Sequence, residues 1–260
     1  MGSPGLSPSP VIHIVGSSVI GPLHTQINLP CQDACAFQSL SCGTAVIAIA
    51  DGLGSAKKSD VGAQLAVSVA VDAASLLLKD GSGSPIQLID VAVVAVNRAR
   101  EALVERAAAE ACQVRDLACT MIMIVMTKDD IAVAHIGDGA VVAQTQTGLE
   151  LVSDPGESEY ANEVIPLTSE DWEKSLRRVS LRRSIVGVAA LTDGCQRAAF
   201  RKADSKLEPF EGFFKPIFEY VTELPDFAEA VQEISALLSS KKCCANSDDD
   251  KTLVIAVTRK

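Results

Sequence analysis

The 260-residue chain predicts an α+β protein with strands and helices segregated into layers. Three features carry that reading. Apolar runs over 44–50 and 184–191 stop abruptly at Asp51-Gly52 and Thr192-Asp193-Gly194, as buried strands do. Two long helical stretches follow one another with only a short turn between them. Between 120 and 144, three β runs are separated by breaks too short for a helical crossover, which predicts antiparallel hairpins.

Taken in order, residues 11–15 and 34–38 read as short strands, and 44–50 (TAVIAIA) as a buried one. Ser59 and Asp60 open an Ala-rich helix to Lys79, apolar on most faces and expected to be covered on both sides. Residues 81–84 form a turn. Ser84 as N-cap and Pro85 at the first helical position start a second helix over 86–110. The β runs at 120–127, 131–136 and 140–144 are broken by Lys128-Asp129-Asp130 and Gly137-Asp138-Gly139. Residues 151–183 are polar and irregular and hold the sole tryptophan, Trp172. A strand over 184–191, helices over 208–223 and 225–239, and a last strand over 252–258 complete the chain. Without an internal repeat or a second boundary, the expectation is a loose Ser/Pro/Gly arm over 1–10 and one domain over 11–260.

Apolar residues make up 48% of the chain and aromatics only 4%, so its large core must be built from Ala, Val, Ile and Leu. The formal charge of −10 argues against a nucleic-acid binder that neutralises phosphates and against a surface drawn to anionic lipid. The most apolar windows are too short (117–127) or interrupted by Gln64 and Asp72 (61–78), so no membrane span is expected. No basic segment precedes the first apolar stretch, so a secretory signal is not expected and the chain reads as cytoplasmic. The eight cysteines read as reduced thiols packed as small hydrophobes. Cys31-x-x-x-Cys35 has no matching second pair for zinc, and vicinal Cys243 and Cys244 keep a minor redox option.

The chemistry gathers at strand ends. Asp51 and Asp193 each end a buried strand and precede Gly, Asp249 lies just before the last strand, and Asp33 just before the second. Carboxylates brought to one edge repel and raise one another's pKa values, a penalty that a hard divalent cation removes. Gly after Asp lets a backbone carbonyl approach such an ion closely. Each element alone is ordinary: Asp-Gly is a common turn, and Asp248 to Asp250 a solvated charge run. Their joint occurrence in this order carries the signal.

The ordered pieces are Gln32-Asp33-Ala34, Ala50-Asp51-Gly52-Leu53-Gly54-Ser55, Gly62-Ala63, Ala118-Cys119-Thr120, Ile136-Gly137-Asp138-Gly139, Leu191-Thr192-Asp193-Gly194 and Asp249-Asp250-Lys251-Thr252. Together they resemble the metal-dependent PPM (PP2C-type) protein serine/threonine phosphatases, especially the compact bacterial branch. The resemblance implies a four-layer α/β/β/α sandwich of two antiparallel sheets flanked by helix pairs. It also implies a signalling hydrolase with two Mg²⁺ or Mn²⁺ ions. Asp51 would bridge the ions, with the Gly52 carbonyl on one, while Asp193 and Asp249 hold the other. Asp33 matches the acidic residue of the first motif, as a direct or water-mediated ligand. A metal-bridging water would attack phosphorus in line, with no covalent phosphoenzyme and no cysteine nucleophile. The substrate would be a phosphorylated protein, opposed by a Ser/Thr kinase.

Three positions depart from that pattern. Gln32 stands where many relatives have Glu, which would weaken the second ion's site. Asn28 replaces an Arg that clamps phosphate, leaving His24 as the nearby candidate for that role beside its reading as an ordinary loop histidine. Asp138 supplies one ligand of a third ion that some relatives bind, but the second position is Arg197, so Asp138 is a third-site ligand or a structural residue. Lys57 and Lys58 near the Asp51 turn are substrate-attracting or merely solvated lysines. Residues 151–183 match the variable flap, where Arg177, Arg178, Arg182 and Arg183 meet acidic or phosphorylated segments or simply line a strand edge. The three departures favour a rival, a catalytically weak pseudophosphatase acting as a regulatory binding module; the retained Asp51, Asp193 and Asp249 oppose it.

Overall fold

A computed structural model describes residues 11–79, 87–155, 164–203, 206–223 and 227–259. The chain begins with β1 (Ile12–Val19), α1 (Pro22–Gln26), β2 (Ala34–Leu40), β3 (Thr44–Ala50), α2 (Ser59–Lys79) and α3 (Leu88–Ala109). Next come β4 (Met121–Met126), β5 (Asp130–Ile136), β6 (Ala140–Thr145), β7 (Gly148–Ser153), α4 (Trp172–Ser175), β8 (Arg177–Arg182) and β9 (Ile185–Leu191). The last part holds α5 (Gln196–Ala199), β10 (Phe200–Ala203), β11 (Lys206–Pro209), α6 (Glu211–Glu223), α7 (Phe227–Leu238), α8 (Lys241–Cys244) and β12 (Lys251–Thr258).

Two five-stranded antiparallel sheets result, in the orders β2-β3-β4-β5-β8 and β1-β12-β9-β6-β7. α2 and α3 cover the outer face of the first, α6 and α7 that of the second, giving the four-layer α/β/β/α sandwich. Strand alternation explains why β3 is apolar from Ala45 to Ala50. Val46 and Ala48 face the helices, while Ala45, Ile47 and Ile49 meet Ile122, Ile124, Val188 and Val254 between the sheets. Columns of alanine (Ala66, Ala70 and Ala74 against Ala92, Ala95 and Ala99) bring α2 and α3 close, so that layer needs few aromatics. Phe200, Phe214 and Phe218 fill the opposite layer instead.

Several expectations need correcting. α2 is not covered on both sides: Gln64, Ser68, Asp72 and Leu76 form an exposed row at four-residue spacing. It is the one helix among the described residues long and apolar enough to cross a membrane, and its other face packs on α3 and the sheet. Ser84 and Pro85 fall outside the described residues, and the described second helix starts at Leu88. β4 and β5 form the expected hairpin, but Gly137-Asp138-Gly139 is no hairpin turn; it carries the chain from one sheet to the other. Residues 206–209 form a strand, so that helix begins at Glu211 rather than 208. The stretch 151–183 holds the end of β7, the short α4 and the edge strand β8, alongside residues outside the description. The strand-edge reading of the arginines holds for Arg178 and Arg182, which with Ser180 form the exposed face of β8, although the stretch as a whole reads as irregular.

Candidate active site

Strand register brings the aspartates together. Ala34 pairs with Ala50, so Asp33 and Asp51 emerge side by side from the first sheet. Leu191 pairs with both Leu253 and Ala140, so Asp193, the segment before β12 and the Asp138 corner emerge at one end of the second. Brought together in this way, the carboxylates act on one another. Burial pushes the Asp51 carboxyl well up, and Asp33, Asp193, Asp249 and Asp138 push it further. Asp193 is raised to about 6 by burial, Asp138 and Asp249. The carboxyl of Asp138 also lies above its ordinary range, through burial and Asp249, with Arg177 opposing.

Local hydrogen bonds fix the two turns. The Asp51 N–H donates to Thr120 Oγ1 at 2.9 Å, and the Thr120 N–H donates back to the Asp51 carbonyl at 2.7 Å. Gly52 N–H donates to the Gln32 carbonyl, and a Cβ on Gly52 would stand 2.8 Å from that oxygen and from Ser59 Cβ. Asp33 is buried, and its Oδ2 accepts from the hydroxyls of Thr192 and Thr252, each at 2.8 Å. Those bonds lower its pKa, but burial dominates and the carboxyl is pushed up to about 7.

The three consecutive aspartates divide their work. Asp248 and Asp249 are exposed, whereas Asp250 is buried. Asp250 accepts from the Gly21 N–H on Oδ1 and from the Gln32 N–H on Oδ2, both at 2.6 Å, and His24 Nδ1 lies 2.9 Å from Oδ2. His24 is thus buried against a carboxylate that ties α1 to the site. Lys58 pairs with Glu110 at 2.6 Å, while Lys57 is exposed. Arg182 pairs with Asp130 and Arg183 with Glu150, whereas Arg177 turns inward to His135 and Gly137. Sequence reasoning missed the parts of Asp250, Arg177, His135 and the two threonines. The available signal was a Thr directly before Asp193 and another two residues after Asp250.

Among the described residues, no three His, Cys, Asp or Glu side chains stand drawn in at metal-ligating spacing. The donor chemistry nevertheless fits a divalent cation. The largest charges acting on Asp51 are four carboxylates, and the buried Gln32 Oε1 has no hydrogen-bond partner. Thiols near the site are poor nucleophiles: Cys31 and Cys119 are pushed up to about 12, chiefly by burial.

The four-layer fold is shared with the catalytic domain of the serine/threonine phosphatase PstP, solved in complex with two manganese ions (TM-score 0.63, 17% identity, 97% of this chain and 100% of that one). It is also shared with the phosphatase Stp1 from Staphylococcus aureus (TM-score 0.59, 12% identity, 100% of both chains). At the level of sequence, the chain is 34% identical over 257 residues to Serine/threonine-protein phosphatase 3 of Escherichia coli (strain K12), covering 94% of this chain and 97% of that protein. The family profile described as Protein phosphatase 2C matches residues 20–239. The chain belongs to the protein phosphatase 2C family of serine/threonine phosphatases.

Proposed function

We propose that the chain is a Mg²⁺- or Mn²⁺-dependent phosphatase that removes phosphate from phosphoserine and phosphothreonine in proteins phosphorylated by an opposing kinase. The observation that carries this is the convergence of Asp51, Asp193, Asp249, Asp33 and Asp138 from both sheets, with the other four carboxylates the largest charges acting on Asp51. Asp51, the Gly52 carbonyl, Asp193 and Asp249 would hold two ions, with Asp33 behind them and oriented by Thr192 and Thr252. When bound, the ions supply an acidified water as nucleophile and positive charge for the phosphoryl oxygens. The protein's own part is to hold the carboxylates at fixed strand ends and to keep nearby thiols protonated. Eight free cysteines support a reducing, cytoplasmic setting.

The test is hydrolysis of p-nitrophenyl phosphate and of a phosphothreonine peptide, with Mn²⁺ and with chelator. Turnover should require the metal, and Asp51→Asn or Asp193→Asn should lower it at least on the order of 100-fold, since even outer partners of metal ligands cost 10–100-fold. Equal activity in chelator would refute the metal mechanism. No turnover at saturating Mn²⁺ would favour a regulatory binding module.

A further inference from the structure

Arg177 opens the edge strand β8 and is half-buried, while its neighbour Arg178 is exposed. Its Nη2 spends both protons, lying 2.8 Å from His135 Nε2 and 2.5 Å from the Gly137 carbonyl oxygen. His135 is fully buried, with Nδ1 2.7 Å from Ser153 Oγ. For Nε2 to accept from a guanidinium, Nδ1 must carry the ring proton and donate to the serine, so the ring is neutral and its tautomer fixed.

The corner that Arg177 grips is otherwise tightly defined. Gly137 has φ +109°, and a Cβ there would stand 2.5 Å from Thr120 Cβ. The Asp138 carbonyl accepts from Gln196 Nε2 on α5, just past Asp193. The guanidinium charge reaches the carboxylates of Asp138 and Asp154. The same corner passes the chain between the two sheets, so its position sets where Asp138 stands relative to Asp193 and Asp51.

We propose that Arg177 is a positioning residue of the phosphatase site: held by the neutral His135–Ser153 pair, it clamps the Gly137 carbonyl and thereby fixes Asp138 within the carboxylate cluster. This rests on the phosphatase reading above. It also makes β8, which lies in the polar stretch 151–183, a structural input to the site.

The test uses Arg177→Ala and Arg177→Lys in the full chain, with Mn²⁺ binding by calorimetry alongside turnover of p-nitrophenyl phosphate. Both variants should bind Mn²⁺ about tenfold more weakly and lose about tenfold in kcat at unchanged KM, the scale of an outer partner's loss. Lysine should not rescue, because one ammonium on a flexible stem does not reproduce the planar fork. His135→Asn, checked for folding by circular dichroism, should move Mn²⁺ binding the same way by a smaller factor. Charge alone predicts the opposite: removing a cation from among carboxylates tightens Mn²⁺ binding. Tighter binding in Arg177→Ala, or wild-type behaviour in Arg177→Lys, would overturn the proposal. So would a raised KM with Mn²⁺ binding intact, which would make Arg177 a substrate contact, or a lowered Tm alone. If the wild-type protein turns nothing over, the phosphatase reading fails. Calorimetry then still decides the clamp: weaker Mn²⁺ binding in both variants supports it, and unchanged binding overturns it.

Discussion

At the scale of single residues, Asp249 and Asp250 differ in everything except their side-chain chemistry. Asp250 is 2% exposed and satisfies two backbone N–H groups that no other described side chain accepts. Replacing it with Ala should cost about 3 kcal/mol in denaturant unfolding, since a buried donor left unsatisfied costs about 1–3 kcal/mol. Asp249→Ala loses only the bond its carboxylate accepts from the Asp250 N–H, so it should cost less than Asp250→Ala while raising the Mn²⁺ concentration needed for turnover. Equal effects of the two substitutions on stability would contradict this division. Sequence reading selected Asp249 by its place in a motif, but it had no means of seeing that Asp250 was buried. The partners of Asp250 lie more than 200 residues away in the chain.

At the scale of elements, α2 is the best test of packing against propensity. Gly62 sits inside the helix, and a Cβ there would stand 2.1 Å from the Leu117 carbonyl oxygen. Ala is the better helix former by about 1 kcal/mol, yet Gly62→Ala should lower Tm, because helix and backbone must part to admit the methyl group. A raised Tm would mean that the 114–117 turn yields freely. The boundaries of β3 and α2 were legible because an apolar run stops at Asp51 and Ser59-Asp60 opens the helix. The boundaries of β8 and the path of the β5–β6 corner were not. A half-polar edge strand resembles a loop, and a three-residue break is equally long whether it turns back or crosses to another sheet.

At the scale of the whole molecule, the candidate site joins the two sheets, since Asp33 and Asp51 come from one and Asp193 and Asp249 from the other. Asp33 at about 7 and Asp193 at about 6 lie above the ordinary 3.8 of the unfolded chain, so the folded protein without metal binds protons more tightly. That contribution to stability is fully present below about pH 4 and is lost as pH rises through about 6 to 7. In chelator, Tm should therefore fall between about pH 5 and about pH 8. Mn²⁺ at a hundred times its Kd should restore about 2.7 kcal/mol at the upper end. A Tm in chelator that ignores pH, with no response to Mn²⁺, would argue against the cluster.

The sequence by itself determined the layer content, the apolar strands and the Asp-Gly strand ends, because alternation, caps and turn chemistry act within a few residues. Its ordered motifs also carried the family. Only the tertiary structure decided that Asp250 is buried, that Gly137 to Gly139 crosses between sheets, and that Arg177 reaches back 40 residues to the Gly137 carbonyl. Those outcomes depend on strand register and on which polar groups lose water together, and neither is encoded within any one segment.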